Sequence, residues 1–282
     1  MACTEPATFG RHLTHWDCRS LAEAVVAEGV VDAIHYTTVA RLLRAASLQP
    51  HRSRYWKTAT IDEHFTDAAA QVLWCYERVE WLHHRGEVVV CVDEKPNVQA
   101  LERRCPPLPI RPGQVAREEF EYRRHGTVTF LTALDVYAGT MRGRCLDRND
   151  GVHFVGALPQ LLRPYRRARR VHLILDNGSS HIAGETRTAL ARVPQWRVLY
   201  TPAHASWLNQ AELLLRAFAD RYLDHLDVPS RAALIAHLEA SWPEYNHHYA
   251  HPFRWSWTRR DLRDWAAHEG AMICINTSAT VH

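Results

Sequence analysis

The chain has 282 residues, 46% of them hydrophobic and 23% charged, and its 34 Lys and Arg against 31 Asp and Glu leave a formal net charge of +3. That balance excludes a disordered, collagenous or fibrous protein and predicts a folded chain long enough for a catalytic domain plus a smaller one. No apolar run approaches the roughly 20 residues that cross a bilayer. The opening MACTEPATFG also lacks the charged start and apolar middle of a signal peptide. The expectation is therefore a cytoplasmic protein with no membrane partner. Seven scattered cysteines without a Cys-x-x-Cys pair read as reduced thiols, not as a disulfide framework or a zinc knuckle.

Lys57 and Lys95 are the only lysines, so the positive charge is almost all arginine, the better bidentate partner for phosphate and guanine. From Arg19 to Ala46 the pattern predicts two short amphipathic helices. Leu21, Ala24, Val25 and Glu28 share one face of the first, Gly29 ends it, and Thr37 caps a second that carries Val39, Leu42 and Leu43. This helix-turn-helix outline exposes Thr38, Arg41 and Arg44. It is followed by His51, Arg52, Arg54, Tyr55, Trp56 and Lys57, a basic strip interleaved with aromatics. Such a layout suits a helix in a major groove with phosphate contacts beside it, although a helical hairpin with solvated arginines satisfies the same pattern. A second basic run, Arg163, Arg166, Arg167, Arg169 and Arg170, contains no acid.

A connecting helix is expected over 61–84, followed by strands at 88–92, 127–136 and 140–146, with Gly139 turning the last pair. Next come a helix at 152–162, a strand at 171–175, a helix at 180–192, a strand at 197–200 and helices at 206–223 and 230–249. A three-strand meander followed by alternating helices and strands is an α/β order, and a ribonuclease-H-like mixed sheet flanked by helices matches it best. The expected organisation is a small all-α helix-turn-helix module over 1–60, the connecting helix over 61–84, a catalytic domain over 85–265 and a tail over 266–282. PPLPIRP at 106–112 reads as a surface loop.

Two apolar strands end in aspartate, Val90-Cys91-Val92-Asp93-Glu94 and Leu173-Ile174-Leu175-Asp176-Asn177. Sites of open α/β sheets lie beyond the carboxyl ends of their strands, so both carboxylates are candidates for one site. Taken singly, each is more simply a turn former or helix cap. Glu212, between Leu208 and Leu213-Leu214-Leu215, is a third candidate, because a carboxylate buried in so apolar a helix needs a partner. Its plain alternative is an exposed glutamate on an outer face. Asn209 is placed to orient Glu212 or a bound water; Asn177 and Lys95 stand beside the two aspartates. Three carboxylates without His or Cys at metal spacing favour Mg2+ or Mn2+ over zinc, and a two-metal site of that kind cleaves phosphodiesters. His181 and His204 flank the candidate site and are read as structural hydrogen-bonding groups, while Trp207 is a base-stacking or a core residue.

The ordered set Val92-Asp93-Glu94-Lys95, Arg124-His125-Gly126-Thr127, Leu134-Asp135, Leu175-Asp176-Asn177 with His181, Thr201-Pro202 through Ser206-Trp207-Leu208-Asn209-Gln210-Ala211-Glu212, and Tyr245-Asn246 with Pro252-Phe253-Arg254-Trp255 resembles the DDE transposases of bacterial insertion sequences, mariner superfamily. The spacing agrees, with 82 residues between Asp93 and Asp176 and 35 between Asp176 and Glu212. The resemblance implies a ribonuclease-H-like catalytic domain with Asp93, Asp176 and Glu212 as the catalytic, metal-binding triad. It also implies cut-and-paste movement of an element bounded by terminal inverted repeats, insertion at TA-containing target DNA, and a homodimer on the DNA. The family typically carries two helix-turn-helix units, and only sixteen residues precede Asp17, so one recognition unit is expected. Thr38, Arg41, Arg44, Arg52, Arg54, Lys57, Arg166, Arg167, Arg169 and Arg170 are the candidate DNA contacts. A catalytically inactive DNA-binding regulator and a structure-reading nuclease such as a junction resolvase are the competing readings.

Overall fold

The computed structural model describes residues 1–46, 48, 50 and 63–267, and the chain divides into two compact units, Met1–Thr58 and Ala59–His282. The basic strip that includes Arg52, Arg54 and Lys57, the start of the expected connecting helix and the tail from 268 onward lie outside the described residues.

In the first unit a 3-10 turn, Pro6–Phe9, precedes helices α1 (Cys18–Ala27) and α2 (Tyr36–Ala45). Asp17 caps α1: its carboxylate accepts from the Arg19 and Ser20 N–H groups, while the Ser20 hydroxyl accepts from the Asp17 N–H. Gly29, at φ +69°, lies just past the end of α1, as expected. The cap of α2 is His35 and not Thr37, because the imidazole Nδ1 accepts the Thr37 N–H and takes the place expected for a hydroxyl. Trp16, Leu21, Ala22, Ala24, Val39 and Leu43 form a small core. Leu42 and Glu28 are exposed, contrary to expectation. Val39 and Leu43, four residues apart, set the buried stripe of α2, and Leu42 falls beside it.

The second unit opens with α3 (Glu63–Glu77) and α4 (Val79–His84), so the connecting helix breaks at Arg78. Five strands follow: β1 (Glu87–Arg103), β2 (Tyr122–Asp135), β3 (Thr140–Leu146), β4 (Arg170–Leu175) and β5 (Trp196–Tyr200). Their order in the sheet is β3-β2-β1-β4-β5. β1, β2 and β3 form an antiparallel meander, and β4 and β5 extend it in parallel with β1. This is the mixed ribonuclease-H-like sheet the element order predicted. The parallel crossover is covered by α5 (Gly151–Leu161), and α6 (Ser179–Ile182) and α7 (Gly184–Ala191) occupy the stretch expected as one helix. α8 (Gln210–Tyr222) and α9 (Arg231–Tyr249) come last among the labelled helices.

Side-chain alternation along β1 feeds two cores. Val89 and Cys91 join Val72, Leu208, Ala211, Leu214 and Phe218 on the face covered by α3, α8 and α9. Val90 and Val92 join Phe154, Leu158 and Leu190 on the face covered by α5 and α7. A sheet buried on both faces reads as continuous apolar strands, which is why the sequence marked β1 and β4 so clearly. The PPLPIRP loop belongs to an excursion between β1 and β2 that is tied by isolated bridges at Leu108–Arg117 and Arg111–Gln114. Among the described residues no helix is long and apolar enough to cross a membrane, and Cys3, Cys18, Cys75, Cys91, Cys105 and Cys145 are free thiols.

Candidate active site

β1 and β4 run parallel, with Cys91 opposite Ile174 as their last paired residues. Asp93 and Asp176 each lie two residues beyond that pair, so the register places them as neighbours where the sheet opens. The electrostatics agree. Burial, and after it the like charge of Asp176, pushes the Asp93 carboxyl from 3.8 up to about 7. Its Oδ1 accepts the Glu94 N–H at 2.8 Å, and the Thr132 hydroxyl donates to its backbone carbonyl at 3.1 Å.

Asp176 moves the other way. A hydrogen bond to His181 at 2.6 Å, helped by the Gly178 N–H at 2.9 Å, holds its carboxyl below the ordinary value despite burial. The second ring nitrogen of His181, Nε2, stands 2.9 Å from Glu94, which also accepts the Ser180 hydroxyl at 3.0 Å. Burial of the His181 ring against Phe154 favours the neutral form, but the flanking carboxylates outweigh it and raise the imidazole to about 10. A buried imidazolium thus bridges two carboxylates. His181 is the hydrogen-bonding residue expected, but Glu94 was not singled out. The signal was available: alternation turns adjacent residues to opposite faces, so Glu94 points toward α5 and α6 while Asp93 points toward α8.

The first turn of α8 is anchored beside Asp93. Asn209 is fully buried, donates from Nδ2 to the Val92 carbonyl at 2.8 Å and caps α8 through the Ala211 N–H at 3.2 Å. The Tyr76 hydroxyl donates to the Leu208 carbonyl from the opposite side. Asn209 therefore fixes the helix start and does not reach toward Glu212. Glu212, three residues on, is exposed and makes no ion pair or hydrogen bond through its carboxylate among the described residues. A cost of burial, which marked Glu212 in the sequence, is therefore not what constrains it. The helix places its apolar neighbours Ala211, Leu214 and Leu215 inward and Glu212 outward.

The remaining candidates are spread more widely. Asn177 donates to the Thr201 carbonyl and ties the end of β4 to the end of β5. Lys95 and His204 are exposed, the latter at φ +62°. Trp207 is half exposed and meets Trp257 edge-on at 4.9 Å between ring centres. Arg169 and Arg170 approach Glu87, which pairs with buried His172 at 2.7 Å, whereas Arg166 and Arg167 are exposed. In the first unit Arg41 and Arg44 are exposed on α2 and line a cavity of ≈ 660 Å3 with Arg19, whose guanidinium covers the Tyr36 ring; Thr38 is half-buried.

The donor set of the Asp93–Asp176 pair suits a hard divalent cation: two neighbouring carboxylates, one of which resists ionisation through burial first and the charge of the other second. Among the described residues no cluster of three His, Cys, Asp or Glu side chains is already closed around a common point.

Residues 88–235 match the family model described as DDE superfamily endonuclease. Over 87 residues the chain is 34% identical to the insertion element IS630 uncharacterized 39 kDa protein of Shigella sonnei, a match covering 30% of this chain and 25% of that protein. The match thus spans a quarter of that relative's length. The crystal structure of the Mos1 strand transfer complex superposes with a TM-score of 0.51 at 18% identity, covering 90% of this chain and 71% of the other, and so shares the fold. The Mos1 mariner paired end complex with Mn gives a TM-score of 0.49 at 18% identity, over 89% and 80% of the two chains.

Proposed function

The chain belongs to the DDE superfamily endonucleases, and from that membership and the carboxylate geometry we propose that it is a divalent-metal-dependent transposase, cutting and joining DNA strands at the ends of an insertion sequence. The observation that carries the reading is the Asp93–Asp176 pair, set side by side by the β1–β4 register and held out of its ordinary ionisation range by burial and by like charge. Membership in the family and the insertion-element relative support the same reading.

Asp93, Asp176 and Glu212 would hold the Mg2+ or Mn2+ of a two-metal site, which when bound activates a water or a 3′-hydroxyl and offsets charge on the departing oxygen. The chain's own residues prepare that site. His181 fixes the rotamer of Asp176 and keeps its carboxylate ionised at neutral pH, while Glu94 holds the other side of the ring. Asn209 locks the turn that carries Glu212 against β1, and Asn177 holds the end of β4. Lys95, exposed two residues past Asp93, is assigned a phosphate contact. In the first unit, Thr38, Arg41 and Arg44 are assigned to terminal-repeat DNA, with Arg52, Arg54 and Lys57 flanking them. Arg166, Arg167, Arg169 and Arg170 are assigned to the duplex near the catalytic unit. A homodimer on the paired ends and insertion into TA-containing target DNA complete the proposal.

The test is a plasmid carrying the ends of the DNA element that encodes this chain, incubated with purified protein and Mg2+ or Mn2+. Nicking at those ends followed by joining to TA-containing DNA is expected, with neither product in EDTA. Tight binding to the ends without any cut would identify the inactive regulator instead.

A further inference from the structure

The longest basic run in the sequence does not form one patch. Arg169 and Arg170 lean toward Glu87, whereas Arg163, Arg166 and Arg167 turn the other way and, with Arg142 of β3 and Pro164, line a separate cavity of ≈ 500 Å3. None of these four guanidiniums makes an ion pair among the described residues. The carboxylate near them, Asp135, is already committed, accepting the Tyr137 and Ala138 N–H groups at 3.0 Å each and the Tyr165 hydroxyl. Arg142 is half-buried and held over the Trp242 ring at 5.2 Å, so one wall of the cavity is fixed before any ligand arrives. Four unpaired guanidiniums around one space repel each other, and an anion with several oxygens relieves that repulsion while matching their planar donor geometry.

Register locates the cavity. Arg142 pairs with Ala133, and Ala133 pairs with Val92, the residue before Asp93. Its backbone is thus two strand spacings from the candidate active site, on the order of 10 Å, or about three base-pair rises of a duplex. Arg142 starts from the sheet face it shares with Ala133 and Val92, the face covered by α5, and because β3 is an edge strand its guanidinium reaches across that edge to Trp242 of α9.

We propose that Arg142, Arg163, Arg166 and Arg167 form a second docking site, specific for phosphodiester backbone, that grips the DNA flanking the scissile bond across the outer edge of the sheet. The inference rests on the reading of the chain as an enzyme of DNA and adds where, beyond the carboxylates, the duplex is held.

The experiment measures affinity of the full chain for a short duplex against salt concentration, for wild type, for the triple variant Arg163→Gln, Arg166→Gln, Arg167→Gln, and for the corresponding triple Lys variant. Removing one arginine–phosphate interaction lowers the slope of log K against log salt by about 0.9. The Gln variant should therefore show a slope smaller by about two to three and an affinity reduced roughly tenfold or more at physiological salt, and the Lys variant should recover most of the slope. All three positions are exposed, so unchanged thermal unfolding is expected and is checked alongside. An unaltered slope in the Gln variant overturns the docking site. So does inorganic phosphate stabilising wild type but not the Gln variant while duplex affinity is the same for both, because the site then serves a free anion. A wild-type chain with no affinity for duplex overturns both the docking site and the underlying reading, whereas metal-dependent nicking with an unaltered slope overturns the docking site alone.

Discussion

Replacing Asp93 by Asn should make the metal-free protein more stable while removing its chemistry. The Asp93 carboxyl is held at about 7 against 3.8, by burial first and the Asp176 charge second. Those roughly three units correspond to about 4 kcal/mol at 1.36 kcal/mol per unit. Solvent reaching a partly buried carboxylate trims this to roughly 2–4 kcal/mol. The sign follows from proton counting. An acid whose pKa is raised on folding binds more protons folded than unfolded between its two values, so its presence lowers stability as pH rises through that window, from about 4 to about 7. Urea unfolding in EDTA at about pH 5 and about pH 8 is the assay. The variant should gain stability over wild type, and the gain should be larger at the higher pH. Added Mg2+ should then stabilise wild type more than the variant at the same concentration. A wild-type to variant difference that is independent of pH, or a variant less stable than wild type at pH 8, would refute the claim that Asp93 is strained by its neighbours.

Three further outcomes are expected. His181→Asn leaves Glu94 buried without its cation and should cost about 3–5 kcal/mol at neutral pH by urea unfolding; since the imidazole is raised to about 10, its contribution is complete below about pH 6.5 and fades as pH climbs through about 10, and the difference from wild type should shrink there. Asn209→Ala removes the cap of α8 and the bond to the Val92 carbonyl, so a loss of about 2–3 kcal/mol is expected, together with a fall in strand cleavage larger than any fall in DNA binding. Gly139→Ala should lower the melting temperature, with a cost of about 2 kcal/mol or more, because the position has φ +68° and a side chain there would collide with the backbone of His251 and Pro252.

How much of this was legible in the sequence depended on whether local pattern or long-range register decided the feature. The strands at Val88–Val92 and Val171–Leu175 were readable because a sheet covered on both faces demands uninterrupted apolar residues, and the position of Asp93 and Asp176 at their ends followed directly. β1 runs far past its apolar segment, to Arg103, and that extension was not legible. Its outer half pairs only with β2, is interrupted by register shifts after Lys95 and after Gln99, and buries only Val98 and Ala100 among polar residues, too sparse an apolar pattern to mark a strand. The helix breaks at Arg78 and Ala183 were hidden because neither residue is itself a helix breaker, although Gly184 directly follows the second. At the site, Glu94 was missed because its partner His181 lies 87 positions away, brought near by the crossover through α5. Glu212 was readable as a residue of this helix, but whether it faces the core or solvent was left open between two readings, and it is exposed. Its apolar neighbours spread round several faces, so composition alone could not tell which face is turned to the core.

The central claim, that the register-matched carboxylates hold the divalent ion, is tested most directly by titrating Mn2+ into the full chain while following the free ion by electron paramagnetic resonance. Wild type should bind, and Asp93→Asn and Asp176→Asn should each weaken binding by about tenfold or more, as expected for loss of a charged oxygen ligand. Unchanged Mn2+ affinity in both variants, with the fold intact, would contradict the account.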